Sequence, residues 1–236
     1  ISMKKFLNIV GLMSGTSMDG INLSLVNTDG NILHTTKHNF IQNYSNKTLK
    51  LLKCAFENPK LFLSYPEKVE ELSNLITLDH YKCIKNLLKK IKITPELIGF
   101  HGQTIYHNFT EKTSVQLGNP KMLATLSNID VVSDFRVNDI KNGGQGAPIS
   151  PIYHEVMIKK SHLKLPCCVL NIGGVANITF FDGRKLIGFD VGPGNGLMDY
   201  YVQKNLGVKY DHQGKIASLG KPKFEIIKKV LLQPFF

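Results

Sequence analysis

The chain has 236 residues, of which 42% are hydrophobic, and 29 Lys plus Arg outweigh 18 Asp plus Glu for a net charge of +11. That apolar content supplies one large packed domain or two modest ones, and no apolar run reaches the ~20 residues that cross a bilayer, which excludes disordered and membrane-spanning readings of these residues. The basic residues are scattered lysines with only two arginines, Arg136 and Arg184, and no basic cluster interleaved with aromatics; a nucleic-acid-binding module is not expected, and the positive potential serves to gather an anionic nucleotide.

The segment Ile1 to Leu7 lacks a signal-peptide core and cleavage site, so a cytoplasmic location is the expectation. Phe6 to Val10 reads as a buried strand and Ile21 to Val26 as a second, with a small, hydroxylated, glycine-punctuated turn between them. In that turn Gly15 and Gly20 permit positive φ and close backbone approach, Thr16 and Ser17 add hydroxyl donors, and Asp19 offers a carboxylate to hydrated Mg²⁺. These are the parts of a phosphate-binding turn, although a tight hairpin uses the same glycines. Gly15-Thr16-Ser17-Met18 is also similar to the nucleophile segment of subtilisin-like proteases. That order needs an Asp and a His upstream, and neither type precedes Ser17.

A third strand is expected over Asn31 to Phe40 after the turn Thr28-Asp29-Gly30. From Pro66 onward Val69, Leu72, Leu75, Ile76, Cys83, Ile84, Leu87, Leu88 and Ile91 recur at helical spacing. Strand Leu97 to Phe100 then delivers His101-Gly102-Gln103-Thr104 at its carboxyl end. A short helix near Met122 to Leu126, a strand at Ile129 to Ser133 and a helix from Ser150 to Lys159 follow. The four cysteines, Cys54, Cys83, Cys167 and Cys168, lack metal-ligand or CxxC spacing and read as buried reduced thiols.

After the connector Lys159 to His162 the pattern restarts. Cys167 to Ile172, Ala176 to Phe181 and Lys185 to Phe189 read as strands separated by Gly173-Gly174 and Asp182-Gly183, followed by helices beginning near Asn195 and over Phe224 to Leu232. Two copies of strand, turn, strand, turn, strand point to an internal duplication, with residues 1–160 as a first domain and 161–236 as a second. A cleft between the copies would bring both glycine turns to one ligand. The fold class expected is a mixed α/β layer architecture.

Three further groups carry chemistry. Asp190 stands at the end of the third strand of the second copy, before Gly192-Pro193-Gly194 and a helix N-terminus; it is placed either to orient a water or hydroxyl beside a phosphate or to support the turn and cap the helix. Arg136, in a strand-end loop, suits a carboxylate or phosphate clamp or a salt bridge to Asp134 or Asp139. Gln103 and Thr104 suit a polyhydroxylated ligand, whereas His101, a lone loop histidine, reads as structural.

Taken in order, Gly11 to Gly20, His101 to Thr104, Asp134-Phe-Arg136, Gly143 to Pro148, Asn171 to Gly174 and Phe189 to Asn195 resemble the motifs of the anhydro-N-acetylmuramic acid kinases over essentially the whole chain. The resemblance implies an actin-like ATPase fold of two RNase H-like lobes closing on ATP. It implies ATP- and Mg²⁺-dependent phosphorylation of 1,6-anhydro-N-acetylmuramic acid, with hydrolysis of the anhydro bridge, to N-acetylmuramic acid 6-phosphate in peptidoglycan recycling. On that resemblance Asp190 is the general base; Gln103, Thr104 and Arg136 hold the sugar; Gly15, Thr16, Ser17, Met18, Asp19, Gly20, Ile21 and Asn22 form the ATP phosphate segment; and the metal ligands are not assigned. The partners are an amino sugar and ATP, with a homodimer left open.

The family usually has Asp where this chain has Asn22. Its members also continue past a helix like that of Phe224 to Leu232 into further sugar contacts and a glycine-rich adenosine site, so the resemblance implies a C-terminally truncated chain with an incomplete second lobe. A noncatalytic sugar-binding or degenerate remnant of such a kinase is the alternative expectation.

Overall fold

The computed structural model describes residues 5–15, 18 and 20–233, which divide into two compact units, 1–147 and 148–236. In the first unit the strands are β1 (Leu7–Ser14), β2 (Ile21–Thr28), β3 (Leu33–Gln42), β4 (Leu97–Asn108), β5 (Thr113–Leu117) and β6 (Asp130–Val132). Its helices are α1 (Asn46–Glu57), α2 (Pro59–Leu63), α3 (Pro66–Leu88), α4 (Pro120–Ser127) and α5 (Phe135–Lys141). The second unit holds α6 (Pro151–Lys160), β7 (Cys167–Ile172), β8 (Val175–Phe181), β9 (Leu186–Pro193), α7 (Gly196–Leu206) and α8 (Phe224–Leu231). The architecture is mixed α/β, as expected.

The first sheet has the order β3-β2-β1-β4-β5, with β6 also pairing to β4. The meander β1-β2-β3 is antiparallel, whereas β4 lies parallel to β1 and β6. A parallel neighbour requires a crossover, and α1 to α3 supply it. Ser45 caps α1 by accepting from the Thr48 amide, and Pro66 stands in the first turn of α3, where a missing N–H costs nothing. Strand alternation sends Val10, Leu12, Ile21, Leu23 and Leu25 into the core, where they join Leu52 of α1 and Leu72, Ile76, Ile84 and Leu87 of α3. Gly11, Met13, Asn22 and Ser24 alternate onto the exposed face.

One polar ring sits inside this core. His80 is fully buried between Tyr44 and Phe100, its Nδ1 paired with the Ile76 carbonyl and its Nε2 without a partner among the described residues. Burial pushes its pKa down to about 4, so the native ring is neutral. Because that value lies below the unfolded one, the unfolded chain binds the extra proton as pH falls. The associated stability is therefore full above about pH 6.5 and is lost as pH drops toward about 4. We expect His80→Phe, which keeps the ring, to lose roughly 2 kcal/mol less than the parent between pH 7 and 4.5. Urea midpoints at the two pH values measure this, and equal losses would refute it.

The structure redraws several local expectations. The crossover begins earlier than Pro66, with α1 and α2, and β5 makes a hairpin with β4. That hairpin is why residues 101–104 lie inside a strand rather than in a loop. Arg136, expected in a loop, occupies the first turn of α5, after Asp134 in a left-handed conformation with φ 62°. Among the four free cysteines only Cys83 is buried, and its thiol is pushed up to about 11 by that burial; Cys167, at the start of edge strand β7, is half-buried, and Cys168 beside it is exposed, as is Cys54.

The second unit is an antiparallel sheet of order β7-β8-β9. Helix α6, which the sequence expectation placed with the first domain, lies in this unit and packs on β8 and β9. Its His154 bonds the buried Thr179 hydroxyl of β8 at 2.7 Å, and Pro151 covers Gly188 of β9. Beyond α7 come two short 3-10 turns and α8, whose apolar residues are exposed. No described helix is long and apolar enough to cross a membrane.

Candidate functional site

The turn after β1 is held from beneath by β4. The Ser14 hydroxyl donates to the Gly102 carbonyl at 3.2 Å, and the Gln103 side-chain amide donates to the Gly15 carbonyl at 3.1 Å. The Met18 amide returns to the Gly15 carbonyl at 3.2 Å, closing a tight turn, with Met18 at φ 55° and its side chain against the core. Gly20 is needed where it stands: a Cβ would lie 2.8 Å from the Gln42 carbonyl, and its φ is 144°. Ile21 is a core residue, which leaves only its backbone for a ligand, while the Asn22 side chain is exposed. Thr16, Ser17 and Asp19, named above for the phosphates, lie outside the described residues.

Gln103 and Thr104 are both buried. The Gln103 side-chain oxygen accepts from the Tyr44 hydroxyl at 3.1 Å, so together with its bond to Gly15 the amide is used at both ends inside the first unit. Tyr44 itself is buried, which raises its pKa and keeps the phenol a donor. The Thr104 hydroxyl accepts from Gln116 of β5 at 3.3 Å.

A register shift sets residues 101 and 102 apart from the rest of β4. Leu12 pairs with Phe100 and Ser14 with Gln103, so two residues of β4 face one of β1. Gly102 takes φ 71° in this bulge, where a Cβ would be 2.6 Å from the Leu117 carbonyl. The bulge turns His101 toward α5. There the Arg136 Nε donates to His101 Nε2 at 2.8 Å, the Arg136 Nη1 donates to the Gly146 carbonyl at 2.8 Å, and Asp139 receives the Gly146 amide at 2.7 Å. The His101 Nδ1 faces the Gly102 carbonyl at 2.8 Å. Burial first, and the neighbouring guanidinium after it, hold the His101 pKa below its ordinary value. A neutral ring donating at Nδ1 and accepting at Nε2 satisfies both contacts.

In the second unit β9 runs past its expected end at Phe189, through Asp190 to Pro193. Val191 is an extra residue in the ladder, because Asn177 pairs with Asp190 and Ala176 with Gly192. A bulge next to a candidate base is a common device for aiming a side chain. Asp190 is exposed, and no described residue hydrogen-bonds its carboxylate. Asn171 and Asp190 both pair with Asn177, so the three side chains form one row on one face of the sheet. The Asn177 Oδ1 is buried without a partner among the described residues. Sequence reading passed over Asn177, since only the strand register reveals its place beside Asp190.

The two glycine turns of this unit are stitched to each other. Amides of Gly194 and Gly196 donate to the Gly174 carbonyl at 3.0 and 3.2 Å, and that of Asn195 to the Gly173 carbonyl at 2.7 Å. These bonds place the start of α7 against the β7–β8 turn. Asn195 stands at the cap of α7 without a side-chain cap bond, and the Asp190 carboxylate does not take that role.

Comparison with known proteins places the chain in a family of kinases. A family model described as anhydro-N-acetylmuramic acid kinase matches residues 7–236. The protein of that name from Pelagibacter ubique (strain HTCC1062) is 40% identical over 235 residues, covering 97% of this chain and 63% of the relative. Those from Rhodopseudomonas palustris (strain ATCC BAA-98 / CGA009) and Legionella pneumophila subsp. pneumophila (strain Philadelphia 1) are 35% and 37% identical, covering 98% and 96% of this chain and 65% and 62% of theirs. The chain belongs to the anhydro-N-acetylmuramic acid kinase family, and it spans less than two thirds of the length of these curated relatives. A crystal structure of an exopolyphosphatase-like protein also matches, at 11% identity and a TM-score of 0.41 over 86% of this chain and 55% of that one, a likeness too loose to add to the fold described above.

Proposed function

We propose that the chain carries the catalytic base and the phosphate-side turns of an ATP-dependent kinase for 1,6-anhydro-N-acetylmuramic acid, built as an actin-like pair of lobes. The observation that carries this reading is Asp190: an exposed carboxylate unbonded by any described residue, beside a bulge and two residues before a Gly-Pro-Gly turn, in a chain of this family. In the reaction we infer, Asp190 takes a proton from water as the water oxygen bonds to the sugar C1 and the C1–O6 bond breaks. The released O6 bonds to the γ-phosphorus of ATP, and ADP leaves. The product is N-acetylmuramic acid 6-phosphate, an intermediate suited to peptidoglycan recycling in the cytoplasm, where ATP is at hand.

The residues present suit the nucleotide in kind. Backbone amides around Gly15 and Gly20 can face phosphate oxygens, and the exposed Asn22 offers a neutral amide where the family usually has a carboxylate. Mg²⁺ neutralises phosphate charge during transfer and needs only one or two protein carboxylates besides phosphate and water. Asp19 is the carboxylate that the phosphate-side turn offers to the hydrated ion, which leaves Asp190 to the water. Arg136 supplies the cation for the sugar's lactyl carboxylate, and Thr104 a hydroxyl contact. The buried Gln103 we read as support for the Gly15 turn as well as a candidate sugar contact. Nothing in this mechanism needs a second copy of the chain.

Titration calorimetry with the sugar and with Mg·ATP, followed by a phosphate-transfer assay with both, tests the reading. Binding of both ligands and formation of the 6-phosphate are expected. Sugar binding without nucleotide binding would favour a noncatalytic sugar-binding remnant.

A further inference from the structure

We infer that His101 is a positioning residue: it sets the direction of the Arg136 guanidinium, and residues 101–103 of β4 tie that direction to the Gly15 turn. The inference deepens the sugar-clamp role proposed for Arg136 and rests on it. Three consecutive residues each make one of the connections. His101 accepts from Arg136 Nε at 2.8 Å, Gly102 accepts from the Ser14 hydroxyl at 3.2 Å, and Gln103 donates to the Gly15 carbonyl at 3.1 Å. The Gly102 carbonyl also takes the His101 Nδ1–H at 2.8 Å, which fixes the tautomer that leaves Nε2 free to accept.

The geometry is specific to an imidazole here. Arg136 donates Nε to the ring and Nη1 to the Gly146 carbonyl, so two points of the planar guanidinium are fixed and its plane with them. The ring thus offers the guanidinium a neutral acceptor at Nε. The ring stays neutral because it is buried and faces a cation. Nearby, His80 of α3 bears on the same ring and is itself held neutral by burial. A structural histidine in a strand would be satisfied by any two hydrogen bonds, whereas here one of them goes to one of the chain's two arginines.

That scarcity makes the test direct. In a chain labelled with ¹⁵N, only Arg136 and Arg184 give guanidinium Nε–H signals. In the unsubstituted protein the Arg136 signal should be protected from solvent exchange, and His101 should show the Nδ1–H tautomer. An Nε2–H tautomer would overturn the inference without any variant being made. His101→Leu should lose the protected signal and weaken binding of 1,6-anhydro-N-acetylmuramic acid by about 10-fold, while His101→Gln, which returns an acceptor near the Nε2 position, should recover affinity to within about 3-fold. A His101→Leu protein that loses the signal but keeps full sugar affinity overturns the positioning role. If the unsubstituted chain binds no sugar while the Arg136 signal responds as expected, the geometric tie stands and the sugar-clamp reading is the part that falls.

Discussion

Asp190→Asn is expected to lower sugar phosphorylation by about 10³-fold in kcat while leaving sugar and nucleotide affinities within about 3-fold. An amide has nearly the size of the carboxylate but cannot take a proton from water, so the substitution isolates the chemistry. The site tolerates the change structurally: Asp190 is exposed, no described residue bonds its carboxylate, and its backbone pairing to Asn177 is untouched. A loss of turnover therefore cannot be put down to a broken turn or a lost helix cap. Steady-state kinetics with saturating ATP, set beside calorimetry, decides the matter, and unimpaired turnover would remove Asp190 from the role of base.

The second large effect is on stability. Gly194→Ala should destabilise the second unit by about 3 kcal/mol, because its Cβ would stand 2.1 Å from the Gly173 carbonyl oxygen, a backbone atom that cannot rotate away. Relief requires parting the two turns that the Gly194, Asn195 and Gly196 amides hold together. Gly174→Ala is the matched control, since its Cβ would meet nothing within 4 Å, and it should change stability by less than about 1 kcal/mol. Chemical denaturation followed by circular dichroism compares the two. Equal stabilities would mean that Gly194 is there for a ligand's approach alone.

Periodicity and punctuation made much of this architecture legible. The two meanders and the long helix α3 follow from alternation in Ile21 to Val26 and from apolar residues at three and four residue steps after Pro66. Helix α1 is not legible although Ser45 carries its cap signal, because it follows a strand with no glycine or proline to mark the change. Strand β5, five residues of mixed polarity, is a strand only through its pairing with β4. Without β5 residues 101–104 read as a loop, and the bulge that turns His101 toward α5 is invisible.

The candidate site was legible as a set of motifs but not as a set of contacts. Asp190 could be singled out from its place before a glycine turn. That Gln103 spends its amide on Tyr44 and Gly15, or that Asn177 lies beside Asp190, depends on register between distant strands, which composition does not carry. Gly20, which suggested phosphate contact in the sequence, is required by the close approach of the Gln42 backbone, as Gly194 is by that of Gly173. The two explanations are compatible, since a turn packed this closely keeps its remaining amides in fixed directions.

The parallel contact of β1 with β4 has a kinetic side. The bonds Ser14 to Gly102 and Gln103 to Gly15 each join residues 88 apart in sequence, whereas β1 and β2 meet across a turn of a few residues. Closing a loop of that length costs about 4 kcal/mol in chain entropy, on top of a constant, before any contact repays it. The hairpin that carries the Gly15 turn can therefore form early and alone, but the strand that braces it arrives late. On this argument the turn is expected to take its final shape only once β4 has paired with β1.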